Sequence, residues 1–188
     1  MSRLVFLLEE PSSKQLLDGL LPRVFPGLVP EQDFLCIPHE GKQDLIRSIP
    51  RKLRGWTEPG ARFVVLLDQD LEDCRDLKER LCNLVREAGR PETMVRLACR
   101  ELEAWYLGDP EALAEAYECA GLKSLADKAR FRNPDQIQKP SQEVARLVPQ
   151  FQKIAGARRM ARHLDPERNR SRSFQVLLEG LHKLLEAG

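Results

Sequence analysis

Residues 63–73 read FVVLLDQDLED. The run Phe63–Leu67 is continuously apolar, as the central strands of parallel sheets are when both faces are covered. Two carboxylates, Asp68 and Asp70, follow it at once. Ligands of open α/β sheets bind beyond the carboxyl ends of the strands. An acid pair ending a buried strand is costly without a cation nearby, so Asp68-x-Asp70 is the first candidate site.

Working outward, three more short apolar runs read as strands: Leu4–Leu8, Phe34–Ile37 and Met94–Cys99. Helical spacing fills the gaps. Ser12 or Ser13 can cap a helix that buries Leu16, Leu17, Leu20 and Leu21 and stops before Pro22. Lys42–Leu53 offers Leu45, Ile46, Ile49 and Leu53, with an interruption expected at Pro50. Glu72–Ala88 carries Leu77, Leu81, Leu84 and Val85 on one stripe and ends at Gly89. Strand and helix in alternation predict an α/β fold, a Rossmann-like, mostly parallel sheet flanked by helices. After Cys99 the strand signals stop. Helices are expected over Arg100–Leu107, Pro110–Cys119 (capped by Asp109), about Gln150–His163 and Ser173–Glu186, with a surface loop over Arg130–Ser141. The organisation read from this is an α/β core over 1–108 and a helical C-terminal portion over 109–188 packed on it.

Carboxylates gather at the strand ends. The first strand runs into Glu9-Glu10, the third into Asp68 and Asp70, and the fourth into Glu101 and Glu103; His39-Glu40 follows the second. Oxygen-only ligands suit Mg²⁺ or Mn²⁺. Glu72 and Asp73 can add ligands from the next helix's first turn, where the helix dipole by itself also favours acids. Lys42, at the rim after the second strand, can neutralise a phosphate or a leaving oxygen. His39 lacks a second His or Cys beside it in sequence, and Trp56 and Trp105 read as packing residues.

The chain has 188 residues and a net charge of +1, but the charge is unevenly spread. Residues 1–108 hold 16 bases and 18 acids, and residues 109–188 hold 14 and 11. Between Arg146 and Arg172 there are eight bases against Asp165 and Glu167. Arg158, Arg159 and Arg162 lie in that stretch, and they are the candidate nucleic-acid-binding residues. A second basic stretch runs from Lys42 to Arg62. No run approaches the roughly 20 apolar residues of a membrane span. Five cysteines without CxxC spacing argue against a disulfide framework or zinc finger and for a reducing cytoplasm.

Taken alone, DxD is a weak motif, shared by haloacid-dehalogenase phosphatases and some glycosyltransferases. Glu9 after strand one with Asp68-x-Asp70 after strand three resembles the Toprim domain of topoisomerases, primases and OLD-type nucleases. As a set, LLEEPSSKQLLDGLLP, PHEGKQDLIRSIPRKLRGW, FVVLLDQDLEDC, RELEAWYLGD, FRNPD and SFQ resemble bacterial Toprim-like proteins of the family catalogued as domain of unknown function 4276. That resemblance implies a Toprim-like core and a metal-dependent nuclease, with relatives in phage-defence or mobile-element loci. The sequence departs from the Toprim pattern where Glu10 and Pro11 replace the usual glycine, and where Glu72 replaces a third Asp. Neither Tyr106 nor Tyr117 sits in the context a topoisomerase requires. The expected function is Mg²⁺- or Mn²⁺-dependent phosphodiester hydrolysis of DNA. In it Asp68, Asp70 and Asp73 serve as metal ligands, and Glu9, Lys42 and Glu103 as catalytic groups. A non-catalytic subunit that docks on DNA or on a partner ATPase is the alternative, and a small-molecule phosphatase or nucleotidyl transferase is a third class.

Overall fold

The structure is a computed structural model and describes residues 3–186. Four strands, β1 (Leu4–Leu8), β2 (Phe34–Pro38), β3 (Arg62–Asp68) and β4 (Met94–Ala98), pair in the order β2-β1-β3-β4. Every pairing is parallel. The fold is therefore α/β and Rossmann-like, as the apolar runs predict. The twofold alternation of strand side chains divides the interior. Leu4, Phe6, Leu8, Val64 and Leu66 face one core, and Val5, Leu7, Phe63, Val65 and Leu67 face the other. At about 1.5–3 kcal/mol for each large apolar side chain fully buried, β1 and β3 anchor both layers.

Helices α2 (Lys42–Gly55) and α3 (Cys74–Glu87) cover the second core with Leu45, Ile49, Leu53, Leu77, Leu81 and Val85. Helix α1 (Pro11–Val24) covers the first, and everything after β4 joins it there. That C-terminal part comprises α4 (Ala104–Leu107), α5 (Pro110–Ala116), α6 (Pro140–Leu147), α7 (Lys153–Met160) and α8 (Arg172–Glu186). Helix α7 packs against α1, and α8 lies on β4. Gly180 permits the latter approach, because a Cβ there would stand 2.5 Å from Met94 Sδ.

Several expected boundaries move. Helix α1 begins at Pro11, with Glu10 in the N-cap position, and runs through Pro22 to Val24. Pro22 keeps a helical φ and loses only one hydrogen bond near the end, and the buried Leu20 and Leu21 hold that turn in the core. Pro50 likewise lies inside α2. Arg100 has φ +62°, so no helix spans Arg100–Leu107; only Ala104–Leu107 is helical. The region expected as loop contains 3-10 turns at Ala129–Phe131 and Pro134–Gln136. Pro140, read as a breaker, is instead the first residue of α6, a position that proline suits because its missing N–H is unneeded there.

Candidate active site at the sheet switch point

Strand order places the site. From β1 the chain moves outward to β2, then returns past β1 to β3 and β4. The crevice where the winding reverses lies between the carboxyl ends of β1 and β3, and Glu9 and Asp68 stand there. The Glu9 carboxylate Oε2 accepts the Asp68 backbone N–H at 2.9 Å. Gly41, at φ +102°, brings its N–H to the Glu9 carbonyl at 2.9 Å, tying the β2 end to the same rim.

Beyond β3 the pairing with the next segment continues. Gln69 N–H donates to Ala98 O at 2.9 Å and Asp70 N–H to Arg100 O at 2.7 Å. Asp70 and Arg100 both adopt left-handed backbone, at φ +56° and +62°, which turns the two segments away from the sheet. Lys42, at the start of α2, fixes the turn. Its Nζ lies 2.5 Å from Asp70 Oδ2 and 3.2 Å from Glu72 Oε1, and it donates to Gln69 O at 3.2 Å. Three acceptors match the three ammonium protons, so Lys42 positions Asp70 rather than standing free to meet a phosphate. Burial would depress its pKa, but Asp70 and Glu72 raise it.

Glu103 enters from the turn before α4 and is 1% exposed. Both of its carboxyl oxygens are buried without a hydrogen-bond partner, as is the Tyr106 hydroxyl. Burial pushes the Glu103 pKa up to about 7, with Lys153 pulling the other way. Asp68 is pushed well above the usual carboxylate range, first by burial and then by Glu9, Glu103, Glu10 and Asp70. Burial also raises Glu9, against the lowering effects of the Asp68 N–H and of Lys42. The rim therefore holds more negative charge than its surroundings stabilise.

One cation comes from far along the chain. Lys153, the first residue of α7, reaches Glu10 Oε1 at 3.3 Å. Glu103 and Glu10 raise its pKa against burial. Glu10 is at the strand end where the sequence places it, but its pairing with Lys153 does not follow from spacing, because 143 residues separate them.

Other expected site residues lie elsewhere. Asp73 is the N-cap of α3, its Oδ1 accepting the N–H groups of Arg75 and Asp76 at 2.8 and 3.1 Å; the carboxylate serves the helix and is fully solvated. Glu101 accepts Ser141 N–H at 2.6 Å. Arg158 donates to Gln15 Oε1 at 2.6 Å. Arg159 is exposed, donates to Ala116 O and lies 5.4 Å over the Tyr117 ring. Arg162 is exposed. His39 is buried, and its Nδ1 contacts Leu8 O at 2.8 Å; burial lowers its pKa and keeps the ring neutral.

The motifs LEAWYLGD, FRNPD and SFQ meet in a buried network that supports Glu103. Asp135 accepts Ser173 N–H at 2.9 Å and the Ser171 hydroxyl at 2.5 Å. Trp105 Nε1 donates to Ser173 Oγ at 2.9 Å, and Asn169 donates to Trp105 O at 2.8 Å. Trp105, two residues after Glu103, is fully buried.

The sequence model described as domain of unknown function 4276 matches residues 8–182. The chain belongs to this family. The match begins one residue before Glu9 and ends within α8, so every rim carboxylate lies inside the domain of unknown function 4276. No curated protein and no solved structure gives a significant match. Among the described residues, no helix is long and apolar enough to cross a membrane.

The donor set fits a hard divalent cation in kind. It is all carboxylate, and the Glu103 oxygens have no partner. Among the described residues no group of three or more His, Cys, Asp or Glu side chains is gathered to hold an ion. Mg²⁺ is usually held by one or two carboxylates plus waters and substrate phosphates rather than by an all-protein cage.

Proposed function

We propose that this member of the family is a Toprim-like, Mg²⁺- or Mn²⁺-dependent phosphodiesterase acting on nucleic acid, with DNA as the favoured substrate. The observation that carries the reading is the buried carboxylate set at the switch point. Asp68 is pushed up by burial and by Glu9 and Glu103, and Glu103 by burial and by Glu10 and Glu101, an arrangement that a divalent cation would offset. Asp68, with Glu9, would hold the ion. When bound, it would polarise a phosphoryl oxygen and lower the pKa of water.

The chain's own groups do the rest. Glu9 holds the Asp68 backbone through its N–H, and Lys42 holds Asp70. Glu103, near 7, is matched to taking a proton from the attacking water at neutral pH. The new P–O bond forms to that water, the old ester P–O bond breaks, and the leaving oxygen takes a proton from solvent. Arg158 and Arg162 offer backbone-phosphate contacts on α7 and just after it, whereas Arg159 lies against Ala116 O and the Tyr117 ring.

A thermal-shift titration with Mg²⁺ and Mn²⁺, run beside cleavage of labelled DNA, tests this. Wild type should gain stability with metal by mass action on the folded state and cleave only with metal present. Asp68→Ala should lose both responses. A metal response unchanged in Asp68→Ala would move the site elsewhere.

A second reading has one observation behind it. Lys42 and Lys153 already pair with Asp70 and Glu10, so part of the rim charge is met without a metal, which favours a non-catalytic module that docks on DNA or on a partner ATPase. In that case metal changes neither stability nor any DNA product.

A further inference from the structure

Apart from the rim, a group of cations lines a cavity of about 650 Å³ between the 3-10 turns and α6. Arg130, Arg132, Lys139 and Arg146 line it, with Glu143 as the one acid. We propose that this cavity binds backbone phosphates of a nucleic-acid strand whose neighbouring phosphodiester lies at the carboxylate rim. The identity of the ligand as a polymer rests on the phosphodiesterase reading; the presence of an anion site does not.

Three observations support it. First, the cations converge by construction. Phe131, Pro134, Ile137 and Pro140 are buried anchors, and Arg130, Arg132 and Lys139 beside them are exposed. The platform is held by Asp135 through its bonds to Ser171 and Ser173. Second, Glu143 orients the arginines without using them up. It is 6% exposed and accepts Arg130 Nη2 at 2.6 Å and Arg146 Nη1 at 3.0 Å on the same oxygen. Each guanidinium has five N–H donors, so both heads, more than half exposed, keep donors for a second anion. Among the described residues Arg132 and Lys139 form no ion pair at all, and both are exposed. Third, one hydrogen bond ties the helix beside the cavity to the segment that carries Glu103. Ser141, in the first turn of α6, donates its N–H to Glu101 at 2.6 Å, two residues before Glu103. Arg forks recognise phosphate in a directed way, and such contacts carry affinity without sequence preference.

The test is fluorescence anisotropy with a labelled single-stranded oligonucleotide in EDTA over a salt series. It compares wild type, Arg132→Ala/Lys139→Ala, and a charge-matched control, Arg47→Ala/Arg86→Ala, on the outer faces of α2 and α3. The pocket variant should bind roughly tenfold more weakly, with a salt slope shallower by about 0.7 per lost contact. The control should match wild type, and all three should melt at the same temperature. Equal affinity and slope for pocket variant and wild type would overturn the proposal, as would an equal loss in the control or no oligonucleotide binding by wild type. A nucleoside monophosphate or pyrophosphate that binds the pocket while the oligonucleotide does not would overturn the polymer assignment. Metal-dependent cleavage is measured separately on wild type. Its absence alongside pocket-dependent binding sinks the enzyme reading and leaves the pocket standing.

Discussion

Glu103 concentrates the chemistry in one side chain. Its folded pKa, raised from 4.5 to about 7, means that the folded protein holds a proton that the unfolded chain has released between those values. Stability from this group is undiminished below pH 4.5, falls as pH rises through that window, and stays at its lowest above pH 7. Replacement by Gln removes the titration and keeps the shape. In metal-free urea melts, Glu103→Gln should gain on wild type by about 2 kcal/mol between pH 5 and pH 8. A constant difference across that range would show that Glu103 does not titrate there. Added Mg²⁺ should flatten the wild-type pH dependence, since a cation favours the ionised carboxylates.

At the scale of the element, the four strands and the two helices of the second core were readable because their apolar spacing is local. The prolines misled. Pro22, Pro50 and Pro140 read as punctuation, yet each sits inside or at the head of a helix, because packing of the neighbouring turns outweighs one missing N–H. The motif FRNPD could be seen in the sequence but its role could not. Asp135 joins the turn before α6 to the start of α8 across 38 residues, and no spacing rule foretells that. Asp135→Ala strips partners from the Ser173 N–H and the Ser171 hydroxyl. It should cost about 1–3 kcal/mol in chemical denaturation and displace the Glu103 turn, lowering any metal-dependent activity. A neutral effect on stability would remove Asp135 from the supporting network.

For the molecule as a whole, Glu9 and Asp68 were legible because strand ends of a parallel sheet share one rim. Asp73 was placed at the wrong scale: adjacency to Asp70 suggested a ligand, and the first turn of α3 took it as a cap. Lys153 and Glu10 were invisible as a pair because only the docking of α7 on α1 joins them. The Arg158–Arg162 cluster shows the limit of counting charge, since Arg158 and Arg159 are already held by Gln15 and by Ala116 and Tyr117, while the cations facing one cavity come from Arg130 through Arg146.

The shared core on the α1 face sets an order of events during synthesis. When residues 1–108 have left the ribosome, β1 and β3 can pair and α2 and α3 can cover one side. The other side, with Leu4, Phe6, Leu8, Val64 and Leu66, has only α1 over it. The rest follows on the order of 10 s later, at about 5–20 residues per second. Through that interval the nascent chain presents a greasy half-face and the rim acids Glu9, Glu10, Asp68, Asp70 and Glu103 without Lys153 beside them. A fragment of residues 1–108 should therefore bind a hydrophobic dye and aggregate, and adding residues 109–188 in trans should quench the dye; a soluble, dye-silent fragment would contradict this. Helix α7 arrives late and brings the last cation of the rim with it, so the nascent chain cannot acquire the complete charge pattern of its site before Lys153 and the rest of α7 have been made.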